Sequence, residues 1–282
     1  MAEDAKKALY RRFVEEVING GQYDAIPEIF SENYLDHSAP PGAPTGGFNA
    51  IKAVPVMFRG AFPDVHFVIE DMTAEGDWVA TRVTGHATHL GRPFMGIEPT
   101  GKRVTWSSFG FFRVADNRIV EHYGQPDLMG LREQLTAPVE PGTLDYNRFI
   151  VTRYVYATNM GDLDRFDELV DPGFVDHNAL PGQKPGVEGL KDAYRMFSSA
   201  FSDLWYTFED LIAEADKVVG RGVIEGRHTG PFMGIPPSGK VIRWTGTRIF
   251  RVADGRVTDG WIDLDMFGMM MQMGAIPVPG QK

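Results

Sequence analysis

The 282-residue chain contains no cysteine. This absence excludes disulfides, thiolate nucleophiles, cysteine-ligated zinc and iron–sulfur clusters together. The chain also has no apolar run of 18 residues, so no membrane-spanning helix is expected. Its first ten residues, MAEDAKKALY, lack the apolar centre of a secretory signal. We therefore expect a cytoplasmic protein whose chemistry depends on Asp, Glu, His, Tyr, Ser or Arg.

Positive charge is scarce as well. Lys and Arg total 28 against 38 Asp and Glu, which leaves a net charge of -10. A nucleic-acid partner is disfavoured, because phosphate binding needs a concentrated basic face. The glycine-rich phosphate and dinucleotide motifs and the G-x-S-x-G motif of serine hydrolases are also missing. The hydrophobic content of 43% is sufficient for a full core.

The sequence contains two similar copies, whose matching residues lie about 140 positions apart. Three pairs of matching segments establish the repeat: PFMGI at 93–97 and 231–235, FRVAD at 112–116 and 250–254, and DH at 36–37 and 176–177. A period of this length is far too long for a solenoid and indicates a duplicated domain. We predict domain 1 at 1–137, a linker at 138–143 that contains two prolines and a glycine, and domain 2 at 144–282.

Each copy begins with helical periodicity and continues with segments rich in β-branched and aromatic residues. In the first copy we expect helices at 3–19, 22–30, 47–62 and 128–135, and strands at 65–72, 78–88, 103–114 and 118–124. Pro55 is expected to interrupt or kink the third helix. This order predicts an α+β fold in which helices pack on one face of a mostly antiparallel sheet.

Four segments of the first copy resemble the SnoaL-like polyketide cyclases, also called ester cyclases, of the NTF2-like superfamily. They are DHSAPPG at 36–42, AFPD at 61–64, THLGRPFMGIEPTGK at 88–102 and FRVADNRIVEHYGQPD at 112–127. The resemblance implies two tandem cone-shaped α+β barrels, each with a small site that needs no cofactor. It also implies an intrachain pseudo-dimer, and a further homo-oligomer stays open.

The resemblance makes Asp127 and its match Asp265 the candidate catalytic bases, because the family's cyclases carry a catalytic aspartate at this position. Such a group would abstract a proton from a carbon flanked by carbonyls. Burial in an apolar pocket raises the pKa of a carboxylate and would suit it to this role. The alternative is that each aspartate caps the helix that follows it.

The second copy departs from the first near this aspartate. Asp263 stands where the first copy has Gln125, and Trp261 stands where it has Tyr123. If the strand stays regular, Asp263 and Asp265 share one face. We therefore include Asp263, Gln125, Tyr123 and Trp261 among the substrate-binding candidates.

Two pairs of histidines complete the candidate site. His37 and His177 precede a Pro/Gly turn and are predicted to bind substrate carbonyls, with gap-filling between helix and sheet as the alternative. His89 and His228 precede the PFMGI turn and are predicted to be catalytic on the strength of the resemblance. His86 and His89 lie three residues apart, which places them on opposite faces of a strand, so no metal site is expected.

Two functions of different classes follow. The first is a cofactor-independent cyclase or isomerase that performs aldol-type chemistry on a small, hydrophobic, carbonyl-rich molecule. The second is a module that binds a small hydrophobic molecule without chemistry. A third alternative is epoxide or ester hydrolysis by Asp263 and Asp265. The methionine-rich segment 266–273 is predicted to be an amphipathic terminal helix.

Overall fold

The structure is a computed structural model that describes residues 2–40, 42–180 and 182–276. Pro41, within the Pro/Gly loop of the first copy, and residues 277–282, at the end of the predicted second domain, lie outside the described residues. The chain divides into two compact units. Unit 1 comprises Met1–Met95 and Arg103–Ala137, and unit 2 comprises Gly96–Lys102 and Pro138–Lys282.

Unit 1 places its first three helices before the main strands and its fourth helix after them. The helices are α1 (Glu3–Arg12), which continues as a π-helical segment over Phe13–Asn19, α2 (Ile26–Ile29), α3 (Gly47–Ala61) and α4 (Leu128–Thr136). The strands are β1 (Phe30–Asp36), β2 (His66–Glu75), β3 (Trp78–Thr88), β4 (Arg103–Ala115) and β5 (Arg118–Pro126). They form one sheet in the order β1-β5-β4-β3-β2.

Unit 2 repeats this arrangement element by element. Its helices are α5 (Leu144–Met160), α6 (Phe166–Leu169), α7 (Gly186–Ala200) and α8 (Met266–Met273). Its strands are β6 (Val170–Asp176), β7 (Phe201–Glu214), β8 (Lys217–His228), β9 (Val241–Ala253) and β10 (Arg256–Leu264), in the order β6-β10-β9-β8-β7. The predicted α+β architecture and the tandem duplication are confirmed.

The first strand of each unit was not expected from the sequence. β1 and β6 pair in parallel with β5 and β10, whereas the other neighbouring strands are antiparallel. β1 reads SENYLD after Phe30, and only three of its residues are buried. This edge strand therefore lacks the alternation of apolar and polar residues by which a half-buried strand is recognised. It carries Asp36 at its end, beside the middle of β5.

The other boundaries agree with the prediction to within three residues, with one exception. Residues 22–30, expected as one helix, form a 3₁₀ turn over Tyr23–Ala25 and then α2, and Phe30 already belongs to β1. The expected interruption at Pro55 is wrong, because α3 runs from Gly47 to Ala61 with Pro55 inside it. The methionine-rich segment forms the predicted terminal helix, α8.

The core of unit 1 lies between its helices and one face of its sheet. Val14, Val17, Ile29, Phe30 and Ile119 are its most deeply buried members. Complete burial of one such side chain contributes roughly 1.5–3 kcal/mol relative to leaving it exposed. The apolar positions of α1 and its extension recur every three or four residues, and this spacing turns the same helix face towards the sheet.

A short segment of the first repeat belongs to the second unit. Within unit 2, the Glu98 carboxylate forms salt bridges with Arg153 on α5 and with Arg165 at the start of α6. Gly101 adopts a φ of 67° and lies close to the backbone of Arg148 and the side chain of Thr152, where a Cβ would collide with both. The predicted boundary at residue 137 stays a prediction.

No helix in the described ranges combines the length and the apolar character that a membrane crossing requires.

Candidate functional site

Unit 2 contains a cavity of about 640 Å³ between its helices and its sheet. A volume of 300–1,000 Å³ is typical of small-molecule sites. Its wall is mostly apolar, and the apolar side chains come from α6, α7, α8 and the strands. They include Phe166, Leu190, Phe197, Ile224, Trp244 and Met270. The cavity is thus suited to a hydrophobic molecule.

A few polar groups share this wall. Asp176, the last residue of β6, contributes a carboxylate that accepts hydrogen bonds from the backbone N–H of Asn178 (3.0 Å) and from Nε2 of Gln183 (2.9 Å). Arg248 on β9 also lines the cavity, and its guanidinium carbon lies 4.2 Å from the ring centre of Tyr206. The cavity wall therefore carries the Asp176 carboxylate and the Arg248 guanidinium among mostly apolar side chains, and the Asp263 carboxylate also borders it.

Tyr154 on α5 lines the same cavity and is almost completely buried. Burial raises the pKa of the Tyr154 phenol. The positive charge of Arg248 acts in the opposite direction, and the negative charge of Asp176 adds to the rise. The phenol consequently stays protonated near neutral pH, as a hydrogen-bond donor does.

One cross-strand pair that faces the interior differs between the two units. In unit 1, Gly85 on β3 pairs with Trp106 on β4, and a Cβ on Gly85 would lie 2.5 Å from the Trp106 indole ring. In unit 2 the matching pair is Ile224 and Trp244, and both side chains line the cavity. The glycine lets the Trp106 ring occupy space that the Ile224 side chain takes in unit 2.

Aromatic rings pack tightly around Trp106 in unit 1. Its ring stacks on Phe58 with centroids 5.3 Å apart, and Phe67 meets it edge-on at 5.5 Å. Phe62 and Phe94 pack on the same group, and both are buried. Unit 2 has matching rings that also pack on one another: Phe197, Phe201, Phe232 and Trp244.

The two units also differ at a second pair of positions, where ionisable side chains are involved. In unit 1, His122 on β5 stacks on Phe112, and its Nδ1 lies 3.2 Å from Oδ1 of Asp36. A side chain at Gly110 would collide with Phe112 and approach the His122 ring. In unit 2 these two positions hold the reverse combination, Arg248 and Gly260.

The buried carboxylate of unit 1 thus has an ionisable partner. Burial alone would raise the pKa of Asp36, but the hydrogen bond and charge of His122, together with the N–H of Ser38 and the charge of His37, lower it. Its counterpart in unit 2, Asp176, has no such partner, since Gly260 replaces the histidine. Instead, the Asp176 carboxylate borders the open cavity.

The two predicted bases lie at the starts of α4 and α8. Oδ1 of Asp127 accepts a hydrogen bond from the N–H of Gly130, and Oδ1 of Asp265 accepts one from the N–H of Gly268, each at 2.8 Å. This confirms the capping alternative. Both aspartates are exposed, so the expected burial in an apolar pocket is wrong. Their catalytic role stays a prediction.

Asp263 and Asp265 do not share a regular strand face. β10 ends at Leu264, and Asp265 already has the backbone of a helix cap. Asp263 contributes to the cavity rim, but it is exposed, like its first-copy counterpart Gln125. The expected shared face is therefore wrong, because the strand terminates between the two carboxylates.

The histidines of the PFMGI turn are buried completely. Nε2 of His89 lies 3.2 Å from the carbonyl oxygen of Arg92, and the His89 ring packs beside Phe62. Burial lowers the pKa of His89 to about 4, and the hydrogen bond to Arg92 opposes this shift only weakly. His228 accepts a hydrogen bond at Nδ1 from the N–H of Ser238. Neither ring belongs to the wall of the 640 Å³ cavity.

The predicted substrate-binding histidines form matching stacks. The ring of His37 lies 4.1 Å from that of Tyr123, nearly parallel to it, and the ring of His177 lies 4.1 Å from that of Trp261. Tyr123 follows the inward-facing His122, so it points to the outer face of the sheet. His177 and Trp261 therefore do not belong to the wall of the cavity in unit 2, whereas Tyr123 borders a second cavity of about 740 Å³ within unit 1. The binding role of all four residues stays a prediction.

Each stack carries an acid and an arginine. His37 forms a salt bridge with Glu121, which also pairs with Arg113. In unit 2, Nε2 of His177 lies 3.0 Å from Oδ1 of Asp259, and Arg251 lies 3.1 Å from the same oxygen. The Arg113 guanidinium lowers the pKa of Glu121, and His177 lowers that of Asp259.

His86 and His89 lie on opposite faces, as expected. His86 is exposed and its Nδ1 lies 3.2 Å from the Thr105 hydroxyl, whereas His89 is buried. Over the described ranges, no group of three or more His, Asp or Glu side chains is arranged to hold a metal ion.

The sequence analysis named Asp263, which borders the cavity, but not three other polar groups that line it: Tyr154, Asp176 and Arg248. Asp176 was visible as the repeat of Asp36, although attention went to the adjacent histidine. Arg248 could have been found by aligning the two copies, because it stands where the first copy has the uncharged Gly110. Tyr154 matches Val14 and carried no signal of its own.

Comparison with known proteins agrees with this architecture. The family profile described as SnoaL-like polyketide cyclase matches residues 8–135 and, a second time, residues 148–273. The chain belongs to this family. Its two SnoaL-like copies together account for most of its length, and each coincides with one five-stranded sheet and its helices.

Several relatives match about half of the chain. Aklanonic acid methyl ester cyclase of Streptomyces peucetius is 29% identical over 132 residues, which cover 46% of this chain and 90% of the relative. Nogalonic acid methyl ester cyclase of Streptomyces nogalater is 26% identical over 121 residues, which cover 43% and 90%. The solved structure of TsrD from Streptomyces laurentii is 31% identical, with a TM-score of 0.45, and the match covers 49% of this chain and 100% of that one.

Proposed function

We propose that this SnoaL-like protein is a cofactor-independent cyclase whose reaction takes place in the cavity of unit 2. The supporting observation is the cavity itself, about 640 Å³ of mostly apolar space with a carboxylate, a phenol and a guanidinium at its wall. The substrate is a small, hydrophobic, carbonyl-rich molecule. Family membership and the two related ester cyclases support the same class of reaction.

The chemistry is an intramolecular aldol addition. A base removes a proton from a carbon between two carbonyl groups, and the enolate carbon forms a bond to a second carbonyl carbon. The resulting alkoxide then takes up a proton, so the product is an isomer of the substrate. A positioned general base contributes about 10²–10⁴-fold to the rate of such a step.

Asp176 is the candidate base that the cavity supports best. Its carboxylate borders the cavity and is oriented by Gln183 and by the backbone of Asn178. The carboxylate of Asp265, the base implied by family resemblance, accepts a hydrogen bond from the N–H of Gly268 and caps α8. Tyr154, kept protonated by burial, is the candidate donor to the carbonyl oxygen.

The test uses the two substrates that name the relatives, aklanonic acid methyl ester and nogalonic acid methyl ester. Chromatography separates substrate from its cyclised isomer. Asp176→Asn should lower turnover by about 10²-fold or more, and its far-UV circular dichroism should match that of the wild type. Turnover that is unchanged in Asp176→Asn would remove Asp176 from the base role.

The same assay compares the predicted bases. Asn caps a helix about as well as Asp, so Asp127→Asn and Asp265→Asn should keep the fold. If Asp265 is the base, as its position in the family implies, Asp265→Asn abolishes turnover. If Asp176 in the cavity is the base, Asp265→Asn has a small effect, similar to that of Asp127→Asn in the other unit.

A non-catalytic binding module is the second candidate. The observation in its favour is that Asp127 and Asp265 are both exposed and both cap helices. Under this alternative, the two esters bind in the cavity and are recovered unchanged. Saturable quenching of tryptophan fluorescence without any isomer formed would decide for the binding module.

A further inference from the structure

Among the described residues, Arg248 forms no salt bridge, and its buried Nε has no hydrogen-bond acceptor. Its guanidinium lies over the face of the Tyr206 ring, with 4.2 Å between the guanidinium carbon and the ring centre. A guanidinium presents five N–H donors and is always charged. The Arg248 guanidinium can therefore donate more hydrogen bonds than the described residues accept from it.

The carboxylate in the same cavity does not satisfy it. The oxygens of Asp176 accept from Asn178 and Gln183, and the described residues include no salt bridge between Asp176 and Arg248. A donor that is partly removed from water without an acceptor costs free energy. An acceptor brought by a ligand would recover that cost.

The first copy makes the same position neutral. Gly110 replaces Arg248, and the imidazole of His122 occupies the neighbouring space with Asp36 as its partner. Charge in unit 1 is thus balanced within the protein, whereas unit 2 faces its cavity with a cation that nothing in the described chain pairs. A second buried donor in that wall, Nε1 of Trp244, also lacks an acceptor. Nε1 of Trp106 in unit 1 lacks an acceptor too. The Trp244 donor therefore does not distinguish unit 2 from unit 1, whereas Arg248 does.

We propose that Arg248 is a specificity-determining residue that selects ligands with an ionised acid group on an apolar ring system. The proposal deepens the proposed function, since it assumes that the unit 2 cavity is the ligand site. The two relatives are named for methyl esters, in which the acid is masked. Arg248 instead favours a free carboxylate or an equivalent anion, because a charge-assisted hydrogen bond is stronger than a neutral one.

Two fluorescent probes of the same shape test this. 8-Anilinonaphthalene-1-sulfonate carries a permanent anion, and N-phenyl-1-naphthylamine has the same rings without it. In the full-length protein, Arg248→Gln should weaken binding of the sulfonate about tenfold or more, since a hydrogen bond to a charged group is of that size. The same variant should change binding of the neutral probe by less than about twofold, because the apolar wall is retained.

Three variants make the result specific. Arg248→Lys keeps the charge and should retain most of the sulfonate affinity. Arg248→Met replaces Gln as the neutral variant if Arg248→Gln does not fold, as judged by circular dichroism. Arg243→Gln removes the same charge from an exposed position on the same strand and should leave both affinities unchanged.

Equal weakening of both probes in Arg248→Gln, sulfonate binding that does not change, or an equal loss in Arg243→Gln would each overturn the proposal. Turnover is not measured in this experiment. A protein that shows anion selectivity but no cyclisation would refute the proposed function and leave this inference standing.

Discussion

The completely buried His89 should make the stability of unit 1 depend on pH. It follows β3, is 0% exposed, and has a pKa lowered from 6.5 to about 4, mainly by burial. Because the folded-state pKa lies below the unfolded value, the unfolded chain binds the proton more readily between these two pH values. Stability contributed by the neutral ring is therefore full above about pH 6.5 and is lost as pH falls towards 4.

The magnitude follows from the shift. A difference of about 2.5 pKa units corresponds to a total of about 3 kcal/mol, and about 2 kcal/mol of this is lost between pH 7.5 and pH 5. No correction for solvent screening is needed, because the ring is inaccessible. This is a large fraction of the 5–15 kcal/mol stability of an ordinary domain.

Hydrogen exchange of the β3 amides, corrected for intrinsic rates at each pH, reports the unfolding free energy of unit 1. We expect the wild type to lose about 2 kcal/mol more than His89→Gln does between pH 7.5 and pH 5. His86→Gln provides the matched control, since His86 lies on the same strand and is exposed. Equal pH dependence in the wild type and in His89→Gln would refute the reasoning.

Three further changes test single contacts. Asp265→Ala removes the cap of α8 and should lower the free energy of unfolding in urea by about 1 kcal/mol, whereas Asp265→Asn should not. Gly85→Ala places a Cβ 2.5 Å from the Trp106 ring, so urea unfolding should show a loss of about 1–3 kcal/mol and near-UV circular dichroism a shifted indole signal. Asp36→Asn should cost about 1–3 kcal/mol at pH 7, because His122 loses a charged partner. Since the pKa of Asp36 is lowered, that cost should shrink as pH falls through its folded-state value, and a constant cost would contradict the pairing.

Repetition was the most informative property of the sequence for the fold. Identical segments such as PFMGI recur in each copy, and each copy forms one sheet with the same strand order. The antiparallel strands were recognisable because they alternate between a buried and an exposed face. β1 and β6 were not, because a charged edge strand in parallel pairing has no such local pattern.

The residues of the candidate site were much harder to predict from the sequence than the fold was. The aspartates suggested by family position, Asp127 and Asp265, are helix caps, and a local motif of this kind is visible in sequence. The stacks of His37 and His177 lie on the outer sheet face, although their repetition made them look functional. Repetition therefore identified residues that occur in both copies, and it could not separate those that matter to the fold from those that line the cavity of unit 2.

The sequence by itself determined the duplication, the α+β class and the residue types available for chemistry, because these depend on order along the chain. Only the tertiary structure decided where the cavity of unit 2 lies and which polar groups line it. Tyr154, Asp176 and Arg248 come from α5, β6 and β9 and share one wall only when the sheet is assembled. The volume of the cavity and the balance of charge around it depend on side chains that are far apart in the sequence. An exchange as small as Gly85 for Ile224, or Gly110 for Arg248, therefore has no predictable meaning until its neighbours are in place.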